Sequence, residues 1–159
     1  MSTSASPLWA KRAPLVERDA AELYSTPACA THALCEAEQL PQGTIWEPAY
    51  GKGGIAHPLR ERGYMVFGSD LFDYGDPGQD LAGVDFLQDH PTEIPTGSFA
   101  GIITNPPFAH AAAFVERALT VAPYVAMLLR INFLESERRR HCSSLDTSPA
   151  CTSSREGYR

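Results

Sequence analysis

The sequence predicts an α/β fold, a mostly parallel sheet flanked by helices and joined by right-handed crossovers. Three features carry this prediction. Short β-prone runs alternate with stretches of helical period along the chain. The run from Tyr124 to Leu134 is almost continuously apolar, as a parallel strand covered on both faces requires. Three of the β-prone runs end at or near an acidic residue: Glu47, Asp70 and Asp85. The length of 159 residues suits one domain, and 43% apolar with 20% charged residues is ordinary globular composition.

Taken in order, residues 1–18 are mixed polar and proline-containing and read as an extended lead-in. They have no basic-then-apolar signal layout, so secretion is not expected. Thr26 is a good N-cap and Pro27 suits the first helical position. Ala30, Ala33, Leu34, Ala37 and Leu40 then recur at helical spacing as far as Pro41. Thr44 to Glu47 is a β-prone run that breaks into Pro48-Ala49-Tyr50-Gly51-Lys52-Gly53-Gly54. A helix through Leu59 and Arg60 follows, with Pro58 tolerated in its first turn, and stops near Gly63. Tyr64 to Ser69 is a second strand closed by Asp70, and the acidic stretch from Asp73 to Asp80 reads as a solvent-facing loop. Val84 to Leu87 is a candidate third strand. Ala100 to Thr104 is a buried strand running directly into Asn105. Ala111 to Val121 has Phe114, Val115, Ala118, Leu119 and Ala122 on one helical face. A further helix is expected to begin at Glu135, and residues 141–159, with seven Ser/Thr and no periodicity, read as an irregular tail.

Several functions are disfavoured. No apolar run approaches the ~20 residues that span a bilayer. Cys29, Cys35, Cys142 and Cys151 form no Cys-x-x-Cys pair and lie near no histidine at zinc-finger spacing. They read as free thiols of a reducing cytoplasm, and no metal site is expected. The histidines read as structural or surface residues. The glycine-rich turn lacks both Gly-x-Gly-x-x-Gly and the phosphate-loop Lys-Ser/Thr pair, which argues against a dinucleotide or a nucleoside triphosphate. The net charge of −6 is uneven: residues 1–114 hold 6 Lys/Arg against 14 Asp/Glu, residues 115–159 hold 7 against 5. Basic surface is therefore expected toward the C-terminus, near Arg130 and Arg138 to Arg140.

The chemistry concentrates where ligands bind in such folds, beyond the carboxyl ends of the strands. Asp70 follows Glu47 by 23 positions, the spacing at which a carboxylate reaches a ribose diol. Asn105-Pro106-Pro107-Phe108 is the most specific feature. Two prolines fix φ and remove two N–H donors, leaving rigid carbonyl acceptors. With an asparagine before them and an aromatic after, they equip a loop to hold an amine on a flat ring.

The succession Tyr-Ser-Thr-Pro, Glu-Pro-Ala-Tyr-Gly-Lys-Gly, Gly-Ser-Asp, Asp-Phe-Leu and Asn-Pro-Pro-Phe resembles the class I S-adenosylmethionine-dependent N-methyltransferases. Within them it is similar to compact DNA adenine-N6 methyltransferases of phage and prophage type. The resemblance covers residues 19–137 and implies a Rossmann-like catalytic core over 19–140, without the family's final strands. It implies that Tyr24, Thr26 and Pro27 close over the methionine end of S-adenosylmethionine, and that Glu47, Pro48, Ala49, Gly51 and Gly53 cradle that end. Asp70 would take the ribose hydroxyls, with Leu71 against the adenine, and Asp85 would accept the adenine N6–H beside Phe86. Asn105 and the Pro106 carbonyl would hold the target amine, with Pro107 fixing the loop and Phe108 stacking on the base. DNA is the implied partner. An RNA or protein-glutamine acceptor, or a cofactor-binding remnant without turnover, remains the alternative, and the oligomeric state is open.

Overall fold

The computed structural model describes residues 25–88, 99–131 and 133. Its elements are helix α1 (Ala28–Ala37), strand β1 (Thr44–Glu47), helix α2 (Ala56–Glu61), and strands β2 (Val66–Asp70), β3 (Leu81–Ala82) and β4 (Phe99–Thr104). A 3-10 turn (Phe108–His110), helix α3 (Ala111–Val121) and strand β5 (Val125–Met127) complete the set. Every strand pair is parallel, in the order β3-β2-β1-β4-β5. This is the predicted α/β sheet. Among the described residues no helix is long and apolar enough to cross a membrane.

Two apolar clusters follow from the two-residue period of the strands, which sends neighbouring side chains to opposite faces. Trp46 and Ile102 point to one face, where Val84, Phe86, Phe99 and Phe114 of α3 join them. The rings interlock: Trp46 stacks on Phe99 at 4.8 Å between centroids and meets Phe86 edge-on at 5.1 Å. Ile45 and Ile103 point the other way, against Leu40, Ile55 and Leu59. With helices on both faces and all strands parallel, every carboxyl end lies along one edge of the sheet. The strand order reverses between β1 and β4, and that places a crevice there.

The structure departs from the sequence reading in five places. Thr26 does not cap α1; Pro27 holds the N-cap position, with extended backbone and no side-chain cap bond. The helix ends at Ala37, and Leu40 is buried beyond it. Val84 to Leu87 is not a strand. The third strand is Leu81–Ala82, and Val84 and Phe86 are buried because they pack on the sheet's face beyond its end. Asp73 to Asp80 is not simply solvated: Asp76 and Asp80 are tied to Tyr50, His57, Arg60 and the Gly68 N–H. Finally, among the described residues of 124–134 the strand is Val125–Met127, half-buried and at the end of the strand order rather than central.

The chain divides into compact units Met1–Leu129 and Arg130–Arg159. In the second, the described residues are Arg130, Ile131 and Phe133, with the Phe133 N–H donating to the Arg130 carbonyl at 2.8 Å. Tyr24, Arg138 to Arg140, the expected helix at Glu135, the lead-in 1–18 and the tail 141–159 lie outside the described residues.

Candidate functional site

β1 ends in Glu47, which is 2% exposed. Its carboxyl is pushed well above the usual range by burial, opposed by a hydrogen bond from the Ala56 N–H; Asp70 raises it further and Arg60 lowers it. One oxygen, Oε2, is enclosed without a hydrogen-bond partner. A buried acceptor left unpaired costs about 1–3 kcal/mol, so this atom suits a ligand's donor.

β2 ends in Asp70, buried at 1% exposure. Its Oδ2 accepts the Gly51 N–H at 2.9 Å and its Oδ1 the Phe72 N–H at 3.0 Å. The carboxylate thus binds the glycine-rich turn to the end of β2. Beside it lies a cavity of about 310 Å³ whose walls include Pro48, Ala49, Asp70, Leu71, Asp85 and Phe86. Pro107 and Phe114 close its other side. Asp85 is anchored there, accepting the Leu87 N–H at 3.0 Å and the Gln88 side-chain amide at 2.9 Å. Six of the residues singled out from sequence therefore line one cavity, and Pro107 of the proline motif reaches it too.

The proline motif begins where β4 ends. Thr104 is fully buried, and its hydroxyl has no hydrogen-bond partner. The next residue, Asn105, donates its amide N–H to the Thr26 hydroxyl at 3.1 Å, across 79 positions of sequence. That bond fixes the amide's rotation and turns its acceptor oxygen away from Thr26. Pro106 is buried, and Phe108 opens the 3-10 turn at 37% exposure, its ring accessible. A smaller cavity of about 120 Å³ lies on the α1 side of β4, lined by Thr26, Thr31, Thr104 and apolar side chains.

The packing bears on two of the residues read from sequence. Thr26 serves Asn105 instead of its own helix. Gly53, with φ of +71°, is glycine because a Cβ would collide with the His57 ring and stand 2.8 Å from the Tyr50 hydroxyl. Gly54 likewise leaves room for the Thr26 carbonyl. Both positions are thus closely packed against protein. Sequence reasoning missed Tyr50, His57 and Asp76, which hydrogen-bond to one another behind the turn. A polar ring inside a glycine-rich turn, seven positions before a histidine, was the signal that could have found them.

No protein-family model and no curated relative matches the chain. Among solved structures it is similar to the 23S rRNA methyltransferase ErmE, with 19% identity and a TM-score of 0.47 over 76% of this chain and 50% of that one. It is also similar to magnesium protoporphyrin IX methyltransferase (ChlM) from Synechocystis PCC 6803 with bound SAM, at 16% identity and a TM-score of 0.43 over 60% and 52% of the two chains. The chain spans about half the length of each of these proteins.

Proposed function

We propose that this chain binds S-adenosylmethionine and methylates the exocyclic N6 amine of adenine in DNA. One observation carries the reading: Asn105-Pro106-Pro107-Phe108 follows β4 at the strand-order reversal, beside a cavity walled by Asp70, Leu71, Asp85 and Phe86. The residues fit the cofactor. The cavity offers apolar surface for a nucleoside and two carboxylates as acceptors for its hydroxyls and amine. Carboxylate oxygens accept more than one hydrogen bond, so backbone partners do not disqualify Asp70 or Asp85. The unpartnered Glu47 Oε2 suits an ammonium group.

The cofactor supplies an activated methyl group on a sulfonium, so the protein's task is alignment. Asn105, held by Thr26, and the Pro106 carbonyl would accept the two N–H groups of the target amine. Those bonds keep the nitrogen lone pair directed at the methyl carbon. S-adenosylmethionine would give up its methyl and leave as the thioether, while Asn105 and Pro106 would hold the amine until its extra proton passes to solvent or a neighbouring acceptor. A base in a duplex must leave the stack, at a cost of a few kcal/mol. The accessible Phe108 ring offsets part of this, since base–aromatic stacking is worth ~1–3 kcal/mol.

The test is transfer of labelled methyl from the cofactor to unmethylated DNA of varied sequence, with RNA and a glutamine-containing peptide alongside. Label is expected in DNA as N6-methyladenine. Asn105→Ala should abolish it while cofactor affinity stays within several-fold. Label in RNA or peptide alone would reassign the acceptor, and binding without transfer to any of them would leave a cofactor-binding module.

A further inference from the structure

We propose that Tyr50, His57 and Asp76 are positioning residues, a latch behind the glycine-rich turn that holds two walls of the cofactor cavity together; the cavity's occupant rests on the function proposed above. The Tyr50 ring is 1% exposed. Its hydroxyl donates to Asp76 Oδ1 at 3.1 Å and lies 3.3 Å from His57 Nε2. That nitrogen is in turn 3.0 Å from Asp76 Oδ2. The phenol's single proton goes to the carboxylate, so His57 Nε2 faces two oxygen acceptors and must itself carry a proton. The cluster therefore selects the Nε2–H form of the imidazole.

Three glycines, far apart in sequence, make room for this pair. A Cβ on Gly68 would enter the Tyr50 ring, and one on Gly53 would enter the His57 ring. A Cβ on Gly78 would stand 2.6 Å from the Tyr50 hydroxyl and 2.9 Å from His57 Cε1. None of the three clustered side chains lines the cavity of about 310 Å³, so they position rather than react.

What the latch joins gives it consequence. Tyr50 opens the turn whose Gly51 N–H binds Asp70. Asp76 sits in the segment that leads into β3 and then into the wall formed by Val84, Asp85 and Phe86. Arg60 clamps the same segment a second time, donating to the Gly78 carbonyl at 2.6 Å and Asp80 Oδ2 at 2.7 Å. The glycine-rich turn and the β3 wall are thus tied from behind.

The test combines amide hydrogen exchange with calorimetric titration of S-adenosylmethionine on the full chain, using Tyr50→Phe, His57→Leu and the donor-keeping His57→Gln. Exchange should quicken about fivefold at Gly53 and Gly78 in Y50F and H57L, as loss of one hydrogen bond worth about 1 kcal/mol implies. The Ile102 amide, bonded to the Tyr124 carbonyl in the sheet, should not change. Cofactor affinity should fall by a similar factor in both variants and return toward wild type in H57Q. Unchanged exchange at Gly53 and Gly78 would overturn the latch. Faster exchange with unaltered affinity would overturn its positioning role. If the wild-type chain binds no cofactor while exchange still responds, the latch stands and the proposed function falls.

Discussion

Glu47 and Thr104 each end a central strand with a buried polar atom that has no partner, and the two ask for opposite substitutions. Because burial raises the Glu47 carboxyl, the native state keeps a proton that the unfolded chain releases in the ordinary carboxylate range. Its contribution to stability is present below that range and is lost as pH rises through the raised folded-state value. Asp76 acts in the other direction. The His57 hydrogen bond holds its carboxyl below the usual value, so its contribution is present above the ordinary aspartate range and lost as pH falls. Glu47→Gln, which removes the raised carboxyl, should flatten the decline in melting temperature on the alkaline side. The same variant should weaken S-adenosylmethionine binding, because an amide cannot pair with an ammonium as a carboxylate does; thermal scans across pH with and without cofactor read both. Thr104→Val keeps the shape and removes the unpartnered hydroxyl. It should raise the melting temperature, by an amount corresponding to about 1 kcal/mol. A lower melting temperature would mean that the hydroxyl is satisfied in the native state.

At the scale of elements, Gly54 decides how α1 meets the sheet. The Thr31 hydroxyl donates to the Gly54 carbonyl at 3.2 Å, and a Cβ at Gly54 would enter the Thr26 carbonyl, which is backbone and cannot swing aside. Gly54→Ala should therefore cost about 1–3 kcal/mol, as overpacking does, and pull Thr26 from Asn105. Denaturant titration and a transfer assay would report the two losses separately. Some elements were legible because their pattern and their packing agree. Thr44–Glu47 and Ala111–Val121 lie where periodicity and turn residues put them, the strand buried on both faces and the helix on one. β3 was not legible, since a two-residue strand has no period to read. Val84 and Phe86 alternate with Asp85 and Leu87 as a strand would, yet their burial comes from packing on the aromatic cluster. The same limit hid the latch. Asp76 and Asp80 look solvated in a run of acids, and only the fold brings Tyr50, His57 and Arg60 to them.

For the whole molecule, the five parallel strands put Glu47, Asp70 and Asn105 along one edge, although they come from three separate stretches of chain. A ligand that bridges those strand ends must stabilise the sheet as a unit, because it binds the native state alone. At a concentration 100 times its dissociation constant, such a ligand contributes about 2.7 kcal/mol. For a domain of this size each kcal/mol moves the melting temperature by roughly 2–4 °C, so S-adenosylmethionine should raise it by about 5–10 °C. The cavity of about 310 Å³ lies at the ends of β2 and β3, with Leu71 and Phe86 as apolar walls and Asp70 and Asp85 as acceptors. Under the proposed function it would take the nucleoside half of the ligand, with Glu47 at the amino-acid half. Adenosine alone should then reproduce more of the shift than methionine alone. Asp70→Asn should shrink the adenosine response and leave any methionine response in place. Equal responses to the two fragments, or a methionine response that depends on Asp70, would place the nucleoside elsewhere along the strand ends and remove this cavity from the cofactor site.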